Sequence, residues 1–119
     1  MSMTSRADLP TGTVTFLFTD IEGSTRLSHK LGDRFSDVVS RHHQLLREAM
    51  SMNGGIEVST EGDAFFVVFQ DARNAVNAAT AAQRALAYED WGDEPVKVRM
   101  GMHTGQGSLG GDNYAGLDV

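Results

Sequence analysis

Asp20 follows the β-branched and aromatic run Thr13-Val14-Thr15-Phe16-Leu17-Phe18-Thr19, and Asp63 opens a second apolar run, Asp63-Ala64-Phe65-Phe66-Val67-Val68-Phe69. Two carboxylates brought to one rim of a sheet repel each other, so a shared position calls for cations. Mg²⁺ is the natural ion, because it takes one or two carboxylates together with substrate phosphates. The segment after Asp20, Ile21-Glu22-Gly23-Ser24-Thr25, puts a glycine and two hydroxyls where a helix starts. Backbone N–H groups at a helix start, with the dipole behind them, hold phosphate. A metal carboxylate followed at once by an anion-binding helix start is what a Mg–nucleotide site requires. Plainer roles use the same residues: Ser24 or Asp20 as a helix cap, Asp63 as a turn residue. Spacing alone leaves both readings open.

The elements that must position these groups are legible from periodicity. Residues 1–11 are polar, with Pro10 near their end, and read as a loose tail; residues 12–119 read as one domain. Thr13 to Thr19 carries apolar residues on both faces, as a buried strand does. Glu22 to Leu31 reads as a short helix closed by Gly32, and a second helix opens at Asp33. In that helix Phe35, Val38, Val39, His42, Leu45, Leu46 and Ala49 recur at helical spacing, and Gly54-Gly55 stops it. Ile56 to Thr60 and Asp63 to Phe69 form a hairpin turning at Glu61-Gly62. Asp71 caps a third helix running to about Ala87, with Ala75, Val76, Ala79, Ala82 and Leu86 on its apolar face. An acidic loop, Tyr88–Pro95, holds Trp91 and leads into a fourth strand, Val96 to Thr104; Gly105–Val119 has five glycines and no clear element. The order β-α-α-β-β-α-β predicts an α+β, ferredoxin-like antiparallel sheet with helices on one face. In such a sheet the two central strands are adjacent, so Asp20 falls beside the hairpin turn and Asp63. The chain stops at Gly-Leu-Asp-Val without a closing element, which reads as a domain incomplete at its C-terminus.

Composition narrows the function classes. The 119 residues include 10 Lys and Arg against 16 Asp and Glu, a formal net charge of −6, with 40% hydrophobic and 22% charged residues. That is a globular composition, and its acidic balance argues against a nucleic-acid partner, which needs a basic face. The chain has no cysteine, which removes disulfides, thiolate metal sites and a Cys nucleophile, and inclines the reading to the cytoplasm. No apolar run approaches the ~18 residues of a membrane span. Gly105-Gln106-Gly107-Ser108-Leu109-Gly110 spells G-x-G-x-x-G, but no amphipathic helix follows, so a dinucleotide fold is not expected. His29, His42, His43 and His103 lack the grouping of a zinc site: His42 falls on a helix core face, and His29 and His43 read as solvated.

Four stretches in register carry a resemblance. Val14-Thr15-Phe16-Leu17-Phe18-Thr19-Asp20-Ile21-Glu22-Gly23-Ser24-Thr25 resembles the opening motif of class III adenylate/guanylate cyclase catalytic domains, in the form common among actinobacteria. Thr60-Glu61-Gly62-Asp63-Ala64-Phe65-Phe66-Val67-Val68-Phe69 is similar to the second metal motif, and Val98-Arg99-Met100-Gly101-Met102-His103-Thr104-Gly105 to the fourth-strand motif. Asp112-Asn113-Tyr114-Ala115-Gly116-Leu117-Asp118-Val119 resembles the lead-in to the next helix.

The resemblance implies a nucleotidyl cyclase that converts ATP or GTP into a 3′,5′-cyclic nucleotide and pyrophosphate for signalling. By carry-over, Asp20 and Asp63 hold two ions, Mg²⁺ or Mn²⁺, with the backbone carbonyl of Ile21; one ion activates the ribose 3′-hydroxyl and the other stabilises the leaving pyrophosphate. Gly23, Ser24 and Thr25 hold terminal phosphates through backbone amides, and Arg99 binds phosphate as a fixed cation; a charge paired with the acidic loop is the alternative for Arg99. The resemblance also implies a homodimer, or a heterodimer with another cyclase domain, with each site across the interface.

The chain departs from the family pattern at three places. Where adenylate-specific members have a Lys four residues before the second metal Asp, this chain has Ser59, and the partner Asp in base reading falls on Asn113. Both are neutral and can serve either purine. The family's Asn and Arg that position the ribose and stabilise developing charge follow Val119, so this chain by itself is expected to be weak or inactive. The rival expectation is a pseudo-cyclase that binds nucleotide or pairs with an intact cyclase. A diguanylate-cyclase-like palm domain fits less well, since Gly110-Gly111-Asp112 is followed by Asn113 and not Glu.

Overall fold

The structure, a computed structural model, describes residues 9–110 and 113–115, with side chains over residues 9–107. Its elements are β1 (Gly12–Ile21), α1 (Ser24–Leu31), a 3₁₀ turn (Gly32–Arg34), α2 (Phe35–Met52), β2 (Ile56–Glu61), β3 (Ala64–Phe69), α3 (Ala72–Tyr88), β4 (Val98–Gly110) and β5 (Asn113–Ala115). The strands form one antiparallel sheet in the order β2-β3-β1-β4-β5. The expected α+β architecture is present, with β1 and β3 side by side at the centre. No described helix is long and apolar enough to cross a membrane.

Strand alternation divides the core between the two faces. Leu17, Ile21, Phe65, Val67 and Phe69 face the helices and pack with Leu27 and Leu31 of α1, Leu45 and Leu46 of α2, and Ala75, Ala78 and Ala82 of α3. Val14, Phe16, Val58 and Val68 form a smaller cluster on the opposite face, with Phe18, Ile56 and Phe66 packed against it. Leu9, from the stretch read as a tail, is buried there too. Trp91 donates its indole N–H to the Leu86 carbonyl at 2.8 Å and so ties the acidic loop to α3.

Several local expectations are corrected. Neither Ser24 nor Asp20 caps α1: its N-cap is Gly23 in the left-handed region (φ 64°), with no side-chain cap bond. α2 starts at Phe35, after the 3₁₀ turn, and not at Asp33. On α3 the buried face is Ala75, Ala78, Ala82 and Leu86, while Val76 is 52% exposed. The glycine-rich stretch after Thr104 is no featureless tail, since β4 continues to Gly110 and pairs with β1 as far as Gly107 opposite Gly12. Residues 113–115, within the expected lead-in to a helix, form β5 against β4; residues 111–112 and 116–119 of that motif lie outside the described residues. Asp71 caps α3 as expected, its carboxylate accepting from the Arg73 N–H at 2.7 Å.

Candidate functional site

Alternation on β1 that sends Leu17 and Ile21 to the helices sends Phe18 and Asp20 to the open face. Asp20 stands opposite Arg99 of β4, and Phe18 lies between Phe66 of β3 and Gly101 of β4. The Phe18 and Phe66 rings stack with centroids 4.7 Å apart and 4° between planes. Beside them opens a cleft of about 640 Å³ lined by Asp20, Ser59, Phe66, Arg99 and Gly101. Ser59 reaches it through an irregularity of β2: the pairing register shifts between Glu57 and Ser59, so Glu57 stays with the helices while Ser59 falls opposite Phe66. Re-aiming one side chain is what a bulge does.

Asp63 sits in the β2–β3 turn, one residue before β3, beside the end of β1. Its Oδ2 accepts the backbone N–H of Ile21 at 2.7 Å. Asp20 and the group that anchors Asp63 are thus consecutive residues of one strand, which puts both carboxylates at the same rim of the sheet. On the other side of the turn, His43 of α2 donates from Nε2 to the Gly62 carbonyl at 2.8 Å. His43 is therefore half-buried and bonded, not solvated as its sequence context implied. Burial lowers its pKa, with the Gly62 contact opposing.

Arg99 meets neither the acidic loop nor a helix start. Its Nε and Nη2 donate to Oδ1 and Oδ2 of Asp20, both at 2.8 Å, with side-chain exposures of 64% and 43%. The carboxylate raises the guanidinium pKa further. This bidentate pair follows from the β1–β4 register and could not be read without it. Gly23, Ser24 and Thr25 open α1 just beyond Asp20, and among the described residues no side chain caps the leading amides of α1. Asn113 opens β5; its side chain lies outside the described residues.

Among the described residues no three His, Cys, Asp or Glu side chains group as a metal-holding set. Two carboxylates at one rim nevertheless suit a hard cation that draws its remaining oxygens from a triphosphate and water, provided that Arg99 yields at least one oxygen of Asp20. The donor chemistry therefore fits Mg²⁺ or Mn²⁺, hard ions that take oxygen ligands.

Comparison with known proteins is consistent across the chain. A family model described as the adenylate and guanylate cyclase catalytic domain matches residues 7–114. Receptor-type adenylate cyclase B of Leishmania donovani is 42% identical over 83 residues, 70% of this chain. Adenylate cyclase of Podospora anserina is 35% identical over 117 residues, covering 82% of this chain. The chain spans only 6% of the length of either relative. A structure of Trypanosoma brucei adenylate cyclases in their monomeric state superposes with a TM-score of 0.82 at 28% identity, covering 94% of this chain and 67% of that one.

Proposed function

The chain belongs to the adenylate and guanylate cyclase catalytic domain family, and from that premise we propose that it forms the metal-and-phosphate half of a nucleotidyl cyclase site acting on ATP or GTP in the cytoplasm. The observation that carries the reading is the Asp63 carboxylate bonded to the Ile21 N–H, one residue along β1 from Asp20 and next to the start of α1.

Asp20, Asp63 and the Ile21 carbonyl are the groups that would hold two Mg²⁺ or Mn²⁺ ions, which when bound supply acidification of the ribose 3′-hydroxyl and charge neutralisation at the leaving pyrophosphate. The amides of Gly23, Ser24 and Thr25 bind terminal phosphate oxygens. Arg99 turns from Asp20 to the phosphates, where a guanidinium binds two oxygens at once. The Phe18–Phe66 face borders the cleft and limits water on one side. In the reaction the 3′-oxygen bonds to the α-phosphorus as the bond from that phosphorus to the β-phosphate bridging oxygen breaks; pyrophosphate leaves and the hydroxyl proton passes to solvent. Ser59, with Asn113, meets the base without fixed charge, so neither purine is strongly selected. A second cyclase domain, of this chain or another, packs on the open sheet face; the ribose- and transition-state-positioning groups come from an intact cyclase domain in that place.

The rival reading is a pseudo-cyclase that binds nucleotide without turnover or pairs with an intact cyclase. Two measurements test these readings. Mn²⁺-dependent binding of a fluorescent triphosphate should weaken at least tenfold in Asp20→Ala and in Asp63→Ala; unchanged binding in both removes the two-metal site. Cyclic nucleotide formation should appear when the chain is mixed with an intact cyclase domain whose own metal carboxylates are replaced by Ala. Binding that persists with no product in that mixture leaves the rival standing.

A further inference from the structure

We infer that His43 is a positioning residue for Asp63, fixing from α2 the peptide that carries this carboxylate. The inference rests on the reading of Asp63 as a metal ligand. The His43 Nε2 lies 2.8 Å from the Gly62 carbonyl oxygen, and a carbonyl only accepts, so Nε2 carries the proton. That carbonyl belongs to the peptide joining Gly62 to Asp63. Gly62 is in the left-handed region (φ 59°), a tight turn whose shape alone does not set where the next side chain points. The turn is gripped from two directions: its main chain by α2 through His43, and the Asp63 side chain by β1 through the Ile21 N–H at 2.7 Å.

The imidazole is itself held. Its ring lies against Phe65 with centroids 5.1 Å apart, and Phe65 is buried and covered on a further side by the Arg47 guanidinium, 5.2 Å from the ring centroid. His42 flanks it at 5.2 Å. A donor fixed in this way transmits the placement of α2 to the rim of the sheet. Partners that orient a metal ligand from behind typically alter metal affinity by about 10- to 100-fold when removed.

The test uses Mn²⁺ as the probe, titrated into the whole chain with ATP present and followed by the electron paramagnetic resonance of the free ion. His43→Phe keeps a ring against Phe65 and removes the donor; His43→Gln restores an N–H near the same place. Mn²⁺ affinity should fall about 10-fold or more in His43→Phe and return most of the way in His43→Gln, with the melting temperatures of the two variants close together. Equal affinities in the two variants would overturn the inference, because a purely structural histidine gives no reason for the amide to outperform the ring. Asp63→Ala separates the two levels: no change on its substitution refutes the metal reading, whereas a loss there with none in His43→Phe refutes the role of His43 alone.

Discussion

At Asp20 both carboxylate oxygens are engaged by one guanidinium, so a divalent cation and Arg99 compete for the same atoms. The pair is largely solvent-exposed, and exposed ion pairs are weak, so a cation can displace Arg99 at small cost. A triphosphate tips the exchange further by giving the guanidinium another bidentate anion. Metal and nucleotide should therefore bind in a mutually favourable way, with Arg99 moving between carboxylate and phosphate. In Arg99→Gln, Mn²⁺ affinity measured calorimetrically without nucleotide should rise roughly two- to fivefold, while triphosphate affinity at saturating Mn²⁺ should fall. Weaker Mn²⁺ binding in the nucleotide-free variant would show that Arg99 supports the metal site and does not compete with it.

The elements meet closely where α2 hands over to β2. A Cβ on Gly55 would lie 2.7 and 2.8 Å from ring carbons of Phe69 and 3.0 Å from the Met50 carbonyl oxygen. Phe69 is buried in the helix-side core and cannot swing away. Gly55→Ala should destabilise the fold by about 1–3 kcal/mol, the range for overpacking a closed interior, read as a lower urea midpoint; an unchanged midpoint would mean that the end of α2 can shift outward. The sequence signals for this junction were direct: helical spacing from Phe35, two glycines, then a strand that turns at Glu61-Gly62 into a densely apolar one. The approach of Asp63 to the end of β1 was legible too, because element order alone makes β1 and β3 neighbours. What stayed hidden depends on register and on contacts between distant elements. The shift between Glu57 and Ser59 that turns Ser59 to the cleft leaves no mark in residue type. The glycine-rich end of β4 lacks a strand pattern, yet Gly105 and Gly107 pair opposite Val14 and Gly12 because main-chain pairing needs no side chain. On α3 so many alanines blur the phase of the apolar face that Val76 reads as core while Ala78 takes the place. His43 gave no signal, since its partner is a carbonyl nineteen residues away.

For the molecule as a whole, the two clusters flanking the sheet make a mostly apolar interior, and His42 is an exception. It is 0% exposed, and among the described residues neither ring nitrogen makes a hydrogen bond of good geometry, the Val39 backbone acting only as a weak contact. Its ring packs edge-on to Phe65, centroids 6.1 Å apart. Burial, and then the neighbouring His43, lower its pKa to about 4; the Val39 backbone and Asp63 oppose, and Arg47 adds to the lowering. The folded value thus lies below the unfolded value of about 6.5. Between the two, the unfolded chain binds more protons, so stability rises with pH across this window and is lost as pH falls through it. With the protein side at about 4, the loss between pH 7 and pH 5 is about 2 kcal/mol from this residue. His43, shifted the same way, adds to it. Replacing His42 by Leu removes both the titration and two unpaired polar atoms while keeping an apolar side chain in the space. Urea midpoints at pH 7, 6 and 5 should decline steeply for the wild-type chain and much less for His42→Leu, with the variant the more stable of the two at pH 5. Parallel declines would place the acid sensitivity in His43 and the carboxylates and show that His42 accepts a proton in the fold as readily as in water.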